Sequence, residues 1–242
     1  MDRAESRSDN LTVGPMSGDF IVWRCLHGGP LTPETIDRPA PHPQIDWPST
    51  RGRNLPLLGR LVRTYGSCAI LAGDGGKIVG TLRFYPKELC SFGEAGAGFC
   101  LQQPYPAGPK DDAAERSFPS FVELREKTLF AHCLMVAVPE GGPDRYRRRG
   151  LGTRMARELV RWATSAGWEA IEATAYEEIP MLYAIAGVAG RRFWEKLGFR
   201  VIHADTEPGM TGRLLEDVRK SAIAAGIPGE KAANRYAMRL AL

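Results

Sequence analysis

Arg147-Arg148-Arg149-Gly150-Leu151-Gly152-Thr153 follows the apolar run Phe130-Ala131-His132-Cys133-Leu134-Met135-Val136-Ala137-Val138, and the apolar period changes between the two. The run reads as a buried strand ending at Pro139. From Leu151 onward Met155, Leu159, Trp162, Ala163 and Ala166 recur at helical spacing, so the glycines mark a strand-to-helix junction. A helix start carries unpaired N–H groups and a partial positive charge, which suits phosphate. Glycines let a diphosphate approach the main chain, and arginines add forked donors. The junction reads as a phosphate-binding turn.

Three phosphate-binding patterns compete for it. A dinucleotide fingerprint needs a third glycine where Met155 stands, and a P-loop needs a Gly-Lys-Ser/Thr that is absent. What fits is Arg/Gln-x-x-Gly-x-Gly/Ala, supplied as Arg147-x-x-Gly150-x-Gly152. Downstream, Trp168 to Ala175 reads as the next strand and Gly187 to Leu197 as a further helix. Phe193-Trp194-Glu195-Lys196-Leu197-Gly198-Phe199 follows, with Gly198 at a helix C-terminus and a strand returning from Phe199. Both motifs, in this order and following a strand, resemble the acyl-CoA-binding signature and the aromatic-aromatic-Glu-Lys-Leu-Gly-Phe ending of the GNAT superfamily of N-acyltransferases. The resemblance spans about Phe130 to Ile202.

The resemblance implies an α/β (α+β) fold of the GNAT type. Its sheet is mixed and mostly antiparallel, flanked by helices, and opens at a splayed strand pair for acyl-CoA. It implies transfer of an acyl group, usually acetyl, from CoA to an amine, directly and without a covalent enzyme intermediate. Main chain at Met135, Val136 and Val138 would pair with pantetheine. The N–H groups of Arg148, Arg149, Gly150, Leu151, Gly152 and Thr153 would hold the diphosphate, with Arg147 opening the pattern. In many members a Tyr, assigned as the acid for the leaving thiolate, stands where this chain has Trp194, and an Asn stands where it has Gly187. An indole donates a hydrogen bond but transfers no proton near neutral pH. Tyr183 and Tyr176 are therefore the alternative acids, with packing as their structural role.

Two residues qualify as the base. His132 lies on the cofactor strand, and imidazole titrates in the range that proton transfer at neutral pH requires. Glu172 sits mid-strand among apolar neighbours, where a carboxylate must face a cleft or pair with an arginine. Glu177 and Glu178, at the strand exit, are expected in solvent or against a cationic acceptor.

The remainder of the chain bounds this picture. Its 242 residues, 43% hydrophobic and 25% charged, suffice for a sizeable core, and no run of about 20 apolar residues occurs. The segment 1–18 lacks periodicity and reads as loose, and 19–242 as a single domain with insertions near 88–127 and 205–231. Phe20 to Leu26 reads as a first strand, and Leu55 to Tyr65 as a short helix. Ser67 to Ala72 and Lys77 to Tyr85 flank Gly73-Asp74-Gly75-Gly76 as a hairpin. Arg213 to Ala225 reads as a helix, and Ala233 to Leu242 as a closing strand. Insertion 88–127 reads as either a lid over the acceptor site or a solvent loop.

Five cysteines and four scattered histidines show no zinc spacing, so no metal is expected. The formal charge of +4 is mild, and part of it gathers at Arg145, Arg147, Arg148, Arg149 and Arg154. Nucleic acid would be drawn to such a cluster, but no recognition signature accompanies it. The expected partners are acyl-CoA (acetyl-CoA in the first instance) and an amine acceptor, a small molecule being favoured. The alternative is a CoA-binding protein without transferase activity. A membrane partner is not expected, a homodimer stays open, and the polar N-terminus makes the cytoplasm the default location.

Overall fold

The protein is seen in a computed structural model that describes residues 11–26, 29–38, 47–89, 118–137, 146–186 and 188–242. Val138, Arg145 and Gly187 therefore lie outside the described residues, as does most of insertion 88–127. The strands are β1 (Leu11–Pro15), β2 (Ala69–Asp74), β3 (Lys77–Pro86), β4 (Thr128–Val136), β5 (Ala170–Tyr176), β6 (Arg200–Thr206) and β7 (Asn234–Ala241). The helices are α1 (Trp47–Tyr65), α2 (Leu151–Ser165), α3 (Pro180–Ala186), α4 (Arg191–Glu195) and α5 (Gly212–Ala224). All seven strands form one sheet in the order β1-β2-β3-β4-β5-β7-β6. Every ladder is antiparallel except β4 with β5. This is the mixed, mostly antiparallel, helix-flanked sheet that the motifs imply.

The hairpin β2–β3 turns on Gly75 and Gly76, whose φ angles of 55° and 79° are those of a tight hairpin turn. Helix α2 buries Leu151, Met155, Ala156, Leu159 and Ala163 on one face. Full burial of each large member contributes about 1.5–3 kcal/mol. The helix comes close to β3 because residue 80 is glycine: a Cβ there would lie 2.9 Å from the Met155 sulfur.

Four expectations require correction. Phe20 to Leu26 forms no strand, although Val22, Trp23 and Leu26 are buried. Side chains take its carbonyls: Arg83 Nη2 donates to Val22 and Arg24 at 2.7 and 2.8 Å, and Asn54 Nδ2 to Trp23 at 3.1 Å. The first strand is instead Leu11–Pro15, inside the segment expected to be loose, paired with β2 from Leu11↔Asp74 to Pro15↔Ile70. Helix α1 begins at Trp47 rather than Leu55, running through Pro56. Of the helix expected over 187–197 only the short α4 is seen, after an extended Gly190 that bridges Tyr176; α3 precedes that range.

The C-terminal strand does not cap the sheet. It lies between β5 and β6, leaving β6 at the edge with Ile202 53% exposed. Helix α5, inserted between β6 and β7, packs with α3 over Tyr176. There Ile179, Leu182, Met210, Val218 and Ala222 form a second, smaller core.

Candidate active site

The parallel ladder between β4 and β5 runs only from Thr128↔Ala170 to Ala131↔Ala173, while β4 continues to Val136 and β5 to Tyr176. The strands therefore part after Ala131. On its other side β4 stays paired with β3, but the register steps from Phe84↔Ala131 to Arg83↔Cys133. His132 is the extra residue of a β-bulge at the point of parting. A bulge bends its strand and re-aims side chains, which is the local cause of the opening. Met135 and Val136 lie on β4 beyond the split and are half-buried.

Helix α2 starts beside this split strand. A Cβ at Gly152 would sit 3.5 Å from Leu134 of β4 and 3.7 Å from Phe193 of α4, so three elements meet there. The first intrahelical bond is Arg154 N–H to the Gly150 carbonyl, which leaves the N–H groups of Leu151, Gly152 and Thr153 ahead of the ladder. Gly150 gives no side-chain cap, and the first turn holds no acidic residue. The turn Arg147–Gly150 is exposed throughout. Two of its residues are left-handed, Arg148 at φ 58° and Gly150 at φ 76°. A non-glycine residue in that region is uncommon and persists only where its surroundings hold it. Around Gly150 the space is open, with no atom within 4 Å of the point where a methyl group would stand. An uncapped helix start, cationic flanks and open space fit an anionic diphosphate. The two glycines differ in kind: Gly150 supplies a backbone conformation, whereas Gly152 supplies slimness at a packed junction.

The sequence-derived acid and base candidates fall in different settings. His132 at the bulge is half-buried, with Tyr85 and Phe130 each 6.4 Å away between ring centroids. Glu172 is buried, and its Oε1 accepts Arg239 Nη1 at 2.6 Å and Lys87 Nζ at 3.0 Å. Glu126 binds the same two cations, so four charges interlock: Glu172 on β5, Arg239 on β7, Lys87 just after β3 and Glu126 just before β4. Of the two settings open to Glu172, the structure presents the arginine pair. Neither Lys87 nor Arg239 is near Glu172 in sequence, and only the strand register brings them together.

Tyr183 on α3 is 41% exposed. Its hydroxyl and Glu178 Oε1 converge on Gly190, where a Cβ would collide with both. Burial, then the Glu178 carboxylate, push its pKa up to about 12. Glu178 also accepts the Arg192 N–H at 2.6 Å. Tyr176 donates to buried Glu207 at 2.7 Å, and burial followed by that carboxylate raises its pKa far above the usual phenol value. Glu177 is buried rather than solvated and accepts the Tyr236 hydroxyl at 2.6 Å. Trp194 is 3% exposed, packed edge-on to Phe193 at 5.1 Å and tilted on Phe199 at 4.8 Å. Its indole nitrogen has no hydrogen-bond partner among the described residues. Sequence reading missed Gly190, whose close approach to Tyr183 and Glu178 no local pattern signals.

Among the described residues no group of three or more His, Cys, Asp or Glu could hold a metal ion. No helix among them is long and apolar enough to cross a membrane.

No curated protein sequence matches the chain. Solved structures do. A putative acetyltransferase from Acinetobacter baylyi has 12% identity and a TM-score of 0.48, covering 98% of this chain and 94% of its own. A GNAT-family acetyltransferase from Streptococcus pneumoniae has 12% identity and a TM-score of 0.47, covering 96% and 99%. A Bacillus subtilis acetyltransferase in complex with CoA has 12% identity and a TM-score of 0.37, covering 72% and 76%. The family model described as "Acetyltransferase (GNAT) family" matches residues 33–199, more than half of the chain. With that match over a sheet that splits beside an uncapped helix start, the chain belongs to the GNAT family of acetyltransferases, which use acyl-CoA and an acceptor.

Proposed function

We propose that this protein is an N-acetyltransferase that moves the acetyl group of acetyl-CoA directly to the amine of a small-molecule acceptor. The observation that carries the reading is the uncapped, acid-free start of α2 beside the parting of β4 and β5. In this reading the N–H groups of Leu151, Gly152 and Thr153 bind the diphosphate, with those of Arg148, Arg149 and Gly150 completing the turn. The guanidinium groups of Arg147, Arg148 and Arg149 add charge. Met135 and Val136, and Val138 beyond the described residues, offer main chain to pantetheine. An N–H of this strand polarises the carbonyl under attack. Bound acetyl-CoA supplies an activated acyl group with a good leaving thiolate.

His132 takes the proton of the acceptor amine, standing at the bulge where the strands separate. Tyr183, partly exposed on α3, is the acid in this reading: a phenol is protonated at neutral pH and can donate to a departing thiolate. Glu172, its charge matched by Lys87 and Arg239, holds the sheet beneath the site and is the lesser candidate for the base. The chain from Leu11 onward, with β1 in the sheet, acts as one domain in this reading, in the cytoplasm. The second reading, CoA binding without transfer, draws on Trp194, whose buried indole cannot relay a proton.

Acetyl-CoA at millimolar concentration is expected to raise the melting temperature, because a ligand bound only by the folded state stabilises it. Release of free thiol from acetyl-CoA with a panel of primary amines then separates the two readings. No melting shift would overturn both. A shift without amine-dependent thiol release would leave only the second.

A further inference from the structure

The exposed turn before α2 is tied at both ends to a single corner of the sheet. On its N-terminal side, the buried Tyr146 donates its hydroxyl to Asp74 Oδ2 at 2.7 Å, across 72 residues of sequence. On its C-terminal side, Arg154 Nη2 donates to the Leu11 carbonyl at 2.9 Å. Leu11 and Asp74 are direct partners in the β1–β2 ladder. The two tethers thus converge on one residue pair, and between them lie Arg147 to Gly150 with their two left-handed residues. Leu151 and Met155, both buried, fix the helix beyond. A sparsely populated backbone conformation persists only where its surroundings over-determine it. Asp74 is itself fixed, as the last residue of β2 paired with Lys77 across the Gly75–Gly76 turn.

We propose that the Leu11–Asp74 corner is a clamp for the cofactor turn, with Asp74 and Tyr146 as positioning residues that set affinity for the diphosphate of CoA without touching it. This rests on the reading of that turn as the diphosphate site. Without the tether the turn samples other conformations, its N–H groups diverge, and part of the binding free energy goes to re-ordering it. The step after binding does not involve the clamp, so turnover at saturating acyl-CoA is unaffected.

The test measures CoA affinity by titration calorimetry, together with KM and kcat for acetyl-CoA, on the full chain. Asp74→Ala and Tyr146→Phe each raise the Kd and KM about tenfold, as expected when a hydrogen bond to a charged group is lost. They leave kcat within about twofold. Asp74→Asn keeps an acceptor oxygen and restores affinity to within about threefold. The double variant Asp74→Ala/Tyr146→Phe is no weaker than either single one. Trypsin digestion of the CoA-free protein reads the clamp separately: cleavage at Arg147, Arg148 and Arg149 is faster in Asp74→Ala. Wild-type affinity in Asp74→Ala, or a fall in kcat that Asp74→Asn does not rescue, overturns the clamp. If the unaltered protein binds no CoA, the diphosphate reading falls. Unchanged tryptic cleavage in Asp74→Ala would then overturn the clamp as well, and faster cleavage would sustain it.

Discussion

Replacing Gly150 by alanine tests the turn at its most exposed backbone feature, and Gly152→Ala is the built-in control. At Gly150 a methyl group meets nothing within 4 Å, so any cost comes from the backbone, where φ is 76°. An L-residue in the left-handed region costs about 1–2 kcal/mol. For a chain of this length about 1 kcal/mol lowers the melting temperature by about 2–4 °C, so a fall of roughly 2–8 °C is expected. A turn that relaxes to escape the strain swings the Leu151 and Gly152 N–H groups out of line. The stabilisation by acetyl-CoA then shrinks. At Gly152 the new methyl would touch Leu134 and Phe193 at 3.5 and 3.7 Å, ordinary contact distances. Alanine also favours helix over glycine by up to about 1 kcal/mol. Gly152→Ala should therefore melt at or slightly above the parent temperature and keep its response to acetyl-CoA. The assay is a thermal melt of three proteins, with and without acetyl-CoA. A silent Gly150→Ala paired with a damaging Gly152→Ala would refute the division of labour between the two glycines.

Glu172→Gln removes a charge shared by Lys87 and Arg239 on a carboxylate whose side chain is 8% exposed, and should cost about 1.5–3 kcal/mol in urea unfolding. A large loss of kcat with unchanged stability would instead make Glu172 the base. Tyr183→Phe should lower kcat about 100-fold, the lower end for a lost general acid, with little change in KM for acetyl-CoA; an unaltered kcat removes it from the chemistry. The Arg235 hydrogen bonds hold the Asp205 carboxyl below its ordinary value. A lowered folded-state pKa contributes stability that is fully present above the unfolded value, about 3.9, and is lost as pH falls through the folded one. Asp205→Asn should accordingly flatten the acid limb of a stability–pH curve below about pH 4. An acid limb identical to the parent would show that the pair contributes nothing there.

Local pattern was enough for the hairpin on Gly75–Gly76, the helix from Leu151, the strand through Glu172 and the left-handed Gly198, because each is dictated by residues near it in sequence. Leu11–Pro15 was missed for the opposite reason. Five residues with a Gly and a Pro carry no strand signal of their own, and their pairing depends on β2. Phe20 to Leu26 has strand composition, but its carbonyls are claimed by Arg83 and Asn54, partners 31 to 61 residues away. Apolar spacing indicated a helix only from Leu55, yet it begins at Trp47: Pro48 sits in the first turn, where a missing N–H is harmless, and the helix runs on past Pro56. At the candidate site, the glycine motif located the turn. The parting of β4 from β5, the four-charge cluster around Glu172 and the Asp74–Tyr146 tether all require strand register, which periodicity does not report.

The position of β7 between β5 and β6 has a consequence for how the molecule comes into being. Both flanking strands leave the ribosome before the one that separates them, and β5 meets the first four strands along only four residues of ladder. A nascent chain that has not yet extruded Asn234 to Ala241 therefore holds a nearly finished amino-terminal sheet and two orphaned ribbons. Completion waits on a long-range insertion, which is the slow kind of event in folding. Until it happens the flanks of the gap are open to wrong partners, and the chaperones that guard unfinished sheets have their best opportunity there.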